Sequence, residues 1–154
     1  MPEKAGQRDL TMMDFAVELA RAALRRDEIP IASVIADEDS VISVGLNQLV
    51  ATGRLIVHAE TTAIDCAGRR ALGQMRSATL YTTLSACAMC TGAILLHRIP
   101  RVVVGDRTTF EGPTQLLRDN GVDVTFLDDP RAVEIMNEFR EKHPDLWDED
   151  NGGR

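Results

Sequence analysis

Residues 78–105 read ATLYTTLSACAMCTGAILLHRIPRVVVG. Ala78-Thr79-Leu80-Tyr81-Thr82-Thr83 is dominated by β-branched and aromatic residues and predicts a strand. Ser85 precedes a helix expected from about Cys87 to His97. Arg101-Val102-Val103-Val104-Gly105 then gives a short, nearly continuous apolar run, the pattern of a strand inside a covered sheet. Strand, helix and strand in succession form a βαβ-like unit. Within it, Cys87 and Cys90 stand at the i,i+3 spacing that puts both sulfurs on one side of a helical turn.

Outward from this unit the periods alternate. Upstream, Thr11 and Asp14 read as a helix cap. Met13, Ala16, Val17, Ala20, Ala23 and Leu24 recur at helical spacing, predicting a first helix over 12–27 that Pro30 stops. Residues 31–36 and 41–45 read as an antiparallel hairpin around the turn Asp37-Glu38-Asp39-Ser40. Asn47 to Leu55 reads as loop. From His58 the pattern is helical again, with Ala63, Ile64, Ala67 and Ala71 on one face. Downstream, a short helix is expected within 111–120, ended by Gly121, and a last strand over 122–127. Pro130 starts a final helix with Ala132, Ile135, Met136 and Phe139 as its core face. The order α-β-β-α-β-α-β-α-β-α predicts helices on both sides of a mostly parallel or mixed sheet.

The chain has 154 residues, about one domain's length, with 44% apolar and 27% charged residues. No apolar run approaches the ~20 residues that span a bilayer. Met1-Pro2-Glu3-Lys4-Ala5-Gly6 lacks a secretory signal's apolar stretch, so a cytoplasmic location is expected. The formal net charge is −7, from 24 acidic and 17 basic residues, which disfavours polyanions. Few aromatics are available for stacking bases, so a small substrate is expected, with no nucleic acid and no membrane as partner. Three cysteines give no closed disulfide framework. Cys66 reads as a small buried apolar residue on a helix.

The chemistry lies in a split constellation, His58-Ala59-Glu60 and Cys87-Ala88-Met89-Cys90. One imidazole and two thiolates make a three-ligand zinc site with a position left open, the pattern of a catalytic centre. Glu60 is placed to move protons on a zinc-activated water. Alone, Cys87 and Cys90 would also fit a thioredoxin-like redox pair, but His58 and Glu60 would then have no role. His97 and His143 read as surface or capping histidines.

With H-x-E followed by C-x-x-C, the chain resembles the zinc-dependent nucleobase deaminases of the cytidine deaminase superfamily. Within it, the sequence is most similar to the fungal-type cytosine deaminase. The similarity runs through Ile29-Pro30-Ile31, Gly45-Leu46-Asn47, Leu80 to Ser85, Cys87 to Ile94, Ile99-Pro100-Arg101 and Val103-Val104-Gly105 to the C-terminal Trp147-Asp148-Glu149-Asp150. The resemblance implies a three-layer α/β/α fold around a mixed sheet of about five strands, in one domain over 1–154. Residues 144–154 would form a tail covering the pocket.

The resemblance also implies one zinc per chain on His58, Cys87 and Cys90, with Glu60 catalytic. Asn47 would bond the ring edge, Asp150 would accept from the exocyclic amine, and Phe110, Trp147 and Ile31 would wall the base. Backbone near Ser85 would meet the pyrimidine edge. The implied activity is hydrolysis of free cytosine to uracil and ammonia in pyrimidine salvage, by a homodimer. Another small amino-heterocycle (5-methylcytosine, guanine, a triazine or creatinine-like ring) is the alternative, and a non-catalytic zinc-binding protein a weaker one. Ser85 disfavours a tRNA adenosine deaminase, which usually carries glutamate there. Three positions depart from the pattern: Ala86 replaces the proline before the first cysteine, Ala59 replaces glycine, and Gln48-Leu49-Val50 alters the loop.

Overall fold

The computed structural model describes residues 4–152. The polar start at Met1-Pro2-Glu3 lies outside the described residues, as do Gly153 and Arg154 of the end Asn151-Gly152-Gly153-Arg154 that the sequence leads one to expect frayed, whereas Asn151 closes the last helix and Gly152 caps it. Five strands form one mixed sheet: β1 (Ala32–Ala36), β2 (Val41–Leu46), β3 (Thr79–Leu84), β4 (Arg101–Asp106) and β5 (Asp123–Phe126). Their order is β2-β1-β3-β4-β5. β1 pairs antiparallel with β2 and β3, whereas β3–β4 and β4–β5 are parallel. The hairpin turn is closed by Asp37, whose carboxylate accepts from the N–H groups of Asp39 and Ser40.

The strand period sorts the core into two layers. Val34, Tyr81 and Val103 face α1 (Gln7–Arg25), whose Met13, Ala16, Val17 and Ala20 are buried beside them. Ile35, Leu80, Val102 and Val104 face the opposite layer, which buries Ala63 and Ile64 of α3 (Ala59–Ala67) and Cys90 and Ile94 of α5 (Ala88–Leu96). α2 (Leu49–Thr52), α4 (Leu72–Met75) and α6 (Thr114–Asp119) are short; α7 (Pro130–Lys142) and α8 (Pro144–Asn151) end the described chain. A third cluster caps one end of the sheet, where Ile29, Ile31 and Leu84 meet Phe139 of α7 and Trp147 of α8. This is the three-layer α/β/α arrangement expected from the sequence. Among the described residues no helix is long and apolar enough to cross a membrane.

Several local boundaries differ from expectation. The first helix starts at Gln7, not near residue 12, and ends at Arg25. Its first turn is held by Asp9, which accepts from Gly6 N at 2.9 Å, from Tyr81 Oη at 3.1 Å and from both Arg101 terminal nitrogens at 2.7 and 2.9 Å. Burial alone would raise the Asp9 carboxyl, but these donors outweigh it and hold it below its ordinary value. Residues 49–52 are helical instead of loop. The helix after His58 stops at Ala67, because Gly68 turns left-handed at φ 72°, so Ala71 joins a 3₁₀ turn. Cys66 is exposed, not buried, because it lies off the stripe that α3 turns to the sheet. Phe139, Ile135, Met136 and Ala132 are buried along α7 as their spacing predicts.

α3 rests backbone to backbone on β2. A Cβ at Gly45 would fall 2.2 Å from Ala59 O and 2.4 Å from Ala63 N. Gly45→Ala should therefore cost about 1–3 kcal/mol through overpacking, read as a lower urea midpoint. An unchanged midpoint would mean that α3 does not depend on this close approach.

Candidate active site

The two motif segments arrive as helix starts. His58 is the N-cap residue of α3, in extended conformation, and its N–H donates to Thr61 Oγ1 at 3.0 Å. Cys87 is the N-cap residue of α5, with Cys90 in the first turn. One nitrogen or sulfur from each of His58, Cys87 and Cys90 lies within 4.8 Å of the others, a group able to hold a metal ion. His58 Nδ1 is the atom turned to this group, 3.5 Å from Cys87 Sγ. The donor chemistry fits zinc: two sulfurs and one imidazole nitrogen, with no fourth His, Cys, Asp or Glu in the group among the described residues.

The electrostatics favour thiolate at Cys87. A hydrogen bond from the Cys90 thiol, opposed by burial and assisted by His58 and the Cys90 N–H, pulls the Cys87 thiol down to about 4. The same shared proton and burial push Cys90 up. Burial would lower the His58 imidazole, but its bond to Cys87 and the charges of Asp150 and Cys87 outweigh this and raise it to about 9. Without a cation, one proton is thus held between the sulfurs and another on His58.

Glu60 is 3% exposed, and burial raises its carboxyl above the usual range. Thr82 Oγ1 lies 2.8 Å from Glu60 Oε1 and 3.0 Å from Leu84 O. A hydroxyl has one proton, so when it serves Leu84 O a protonated Glu60 can donate to Thr82 instead. The carboxyl is therefore supported in both protonation states.

Beside these groups lies a small cavity, about 30 Å³, that opens to solvent. Ile31, Ser85, Phe110, Trp147 and Asp150 line it together with His58, Glu60 and Cys87. Phe110 and Trp147 meet edge to face, with centroids 6.2 Å apart. The loop carrying Phe110 is tied at both ends. Asp106 Oδ1 accepts from Thr108 N at 2.7 Å and Thr109 N at 3.1 Å, and Ser85 Oγ accepts from Gly112 N at 3.0 Å. A Cβ on Gly112 would lie 1.7 Å from Ala86 O, so this loop presses directly on the chain entering Cys87.

Asn47 is brought near but is not a lining residue. It is buried behind Asp150, donating from Nδ2 to Asp150 Oδ1 at 2.8 Å and accepting from Leu49 N at 3.0 Å. Asp150 Oδ1 also lies 3.3 Å from His58 Nε2. Burial raises the Asp150 carboxyl, against the opposing effects of His58 and Asn47. His97 and His143 stand away from the metal group: His97 caps α5 against Ala93 O, and His143 joins α7 to α8 beside Asp27. Sequence reasoning missed Thr82, Gly112 and Asp106. Only Thr82 left a signal, as a polar residue at an inward register of a buried strand.

Residues 7–106 match the family described as "Cytidine and deoxycytidylate deaminase zinc-binding region". The chain is similar to a cytosine deaminase of Candida albicans, 38% identical over 141 residues, covering 91% of this chain and 94% of that one. A tRNA-specific adenosine deaminase of Bacillus subtilis is 39% identical over 99 residues, covering 63% of this chain and 61% of that one. Among solved structures, a guanine deaminase from Nitrosomonas europaea shares the fold at TM-score 0.76 and 24% identity, covering 92% of this chain and 88% of that one.

A thiol pulled down to about 4 is already thiolate at neutral pH. In metal-free protein carrying Cys66→Ser, alkylation of Cys87 should therefore stay level between about pH 6 and pH 8. An ordinary thiol, with a pKa of about 8.5, would gain nearly tenfold per pH unit there. Such a climb would show that the His58–Cys87 pairing does not hold in solution.

Proposed function

The chain belongs to the zinc-binding cytidine and deoxycytidylate deaminase family, and from that premise we propose that it hydrolyses free cytosine to uracil and ammonia. It is a zinc-dependent aminohydrolase acting on a small nucleobase-like ring; cytosine is the finer reading. The observation that carries it is the meeting of Trp147 and Asp150, from α8, with His58 and Glu60 in one cavity. It is supported by similarity to a cytosine deaminase along 91% of the chain, against 63% for the tRNA-acting relative.

His58 Nδ1, Cys87 Sγ and Cys90 Sγ would hold the metal. Zinc held there supplies a water acidic enough to be a nucleophile at neutral pH. In the proposed hydrolysis a water oxygen would bond to ring C4, the exocyclic C–N bond would break, and the amine would leave as ammonia. Glu60 would take one proton from the water and pass it to the ring nitrogen, then take the remaining hydroxyl proton and pass it to the departing amine. Its burial and its bond to Thr82 suit a carboxyl that must hold a proton between two transfers. Phe110, Trp147 and Ile31 give a flat ring apolar walls, and Ser85, whose N–H is taken by Asp106 O, lines the same cavity.

Asp150 accepts from the exocyclic amine. Asn47 serves the ring edge by exchanging its bond to Asp150, or otherwise acts by holding that carboxylate. In this reading residues 144–154 are a tail that closes the cavity, in a single domain over 1–154. A net charge of −7 supports a free base over a polynucleotide. Pyrimidine salvage, a cytoplasmic location and a homodimer complete the same reading.

Glu60→Gln should lower kcat about 100- to 10,000-fold while one zinc per chain is retained; near-normal turnover would remove Glu60 from proton transfer. Cytosine, cytidine, guanine and a tRNA substrate should be assayed together for ammonia release. Turnover of cytosine without cytidine is expected. Preferential release from guanine or tRNA would replace the cytosine reading.

A further inference from the structure

We infer that Asp150 is a positioning residue for the metal-binding imidazole, and that it thereby couples docking of the C-terminal helix to metal binding. The inference rests on the zinc reading above. His58 divides its two nitrogens between two partners. Nδ1 faces the sulfur group, at 3.5 Å from Cys87 Sγ, and Nε2 faces Asp150 Oδ1 at 3.3 Å. A neutral imidazole that gives Nδ1 to a metal carries its proton on Nε2, where Asp150 accepts it. Carboxylates in this position orient a metal-bound histidine and select its tautomer.

The carboxylate is rigidly presented. Its side chain is 4% exposed, and the other donor on Oδ1 is Asn47 Nδ2 at 2.8 Å. Three residues earlier on α8, Trp147 is buried against Ile31 and Phe139. The bond to His58 therefore belongs to the whole docked helix, not to a loose terminus. Coupling of this kind is reciprocal: a docked tail that tightens metal binding must itself be held more firmly once metal is bound, by the same factor.

Both directions can be measured without turnover. Zinc affinity is read by competition with a chromophoric chelator, and docking by the emission of Trp147, the only tryptophan in the chain. Asp150→Ala should weaken zinc binding about 10- to 100-fold. Asp150→Asn, whose amide oxygen still accepts from Nε2, should keep most of the affinity. Zinc added to metal-free wild-type protein should shift Trp147 emission to the blue, and the shift should vanish in Asp150→Ala. Equal affinity in Asp150→Ala, equal loss in both variants, or a wild-type emission indifferent to zinc would each overturn the coupling. A wild-type chain that takes up no zinc would overturn the deaminase reading as well.

Discussion

Two close backbone approaches hold the site, and neither is an attraction between side chains. At Gly45 the absence of a Cβ lets the first turn of α3 lie on β2. Ser43 secures the same contact, donating from Oγ to Ala63 O at 2.7 Å. That seating brings Glu60 over the sheet to reach Thr82 on β3. At Gly112 the second approach brings the Phe110 loop against Ala86, immediately before Cys87. Metal donors, carboxyl and cavity wall are thus placed by main-chain packing, which leaves fewer degrees of freedom than contacts between flexible side chains. Ala86 lacks proline's fixed φ, and the pressed Gly112 loop with Ser85 Oγ restrains that entry from outside.

The charges explain why such a rigid seat is needed. His58, Glu60, Cys87 and Asp150 line one cavity with Cys90 grouped beside His58 and Cys87, five ionisable groups in all, and Glu60, Cys90 and Asp150 are almost wholly covered. Full ionisation of the four acids without a cation would be costly at such burial. The protons respond accordingly: Glu60, Cys90 and Asp150 are driven toward their neutral forms, and His58 toward its charged form. A dication on two thiolates and a neutral imidazole removes the conflict, because it offsets both sulfur charges where they arise. Protons and metal thus compete for the same donors, and the site is built around that competition.

What was legible in the sequence was local. His58 with Glu60, and Cys87 with Cys90, are two and three residues apart, so their spacing alone carried the metal group onto helix starts. Strand and helix periods likewise carried the layer order. The features that escaped depend on contacts far along the chain. The Thr11/Asp14 pattern looked like a cap as good as Gly6 with Asp9, yet Asp9 prevails because Arg101 and Tyr81 converge on it. Cys66 was misplaced because its burial depends on which stripe of α3 meets the sheet. Asn47 faces Asp150 across 103 residues, and no spacing rule announces that pair.

Under the proposed function, the groups that would do the chemistry and those that would shape the cavity come from different parts of the fold. His58, Glu60, Cys87, Cys90 and Thr82 stand at helix starts or on the sheet, where the two layers hold them. Phe110 comes from a loop, and Trp147 and Asp150 from the last helix. Under the proposed function this division has a physical consequence. Proton transfer needs groups fixed to fractions of an ångström, which the covered sheet supplies. Ring selection needs only walls of suitable outline, which a loop and a tail can vary without disturbing the sheet. Asp150 belongs to both sets, since the same oxygen meets His58 and Asn47 while the side chain lines the cavity. Under that function a change at Asp150 that alters the accepted ring would also be felt at His58, so the two properties would not vary independently at that residue.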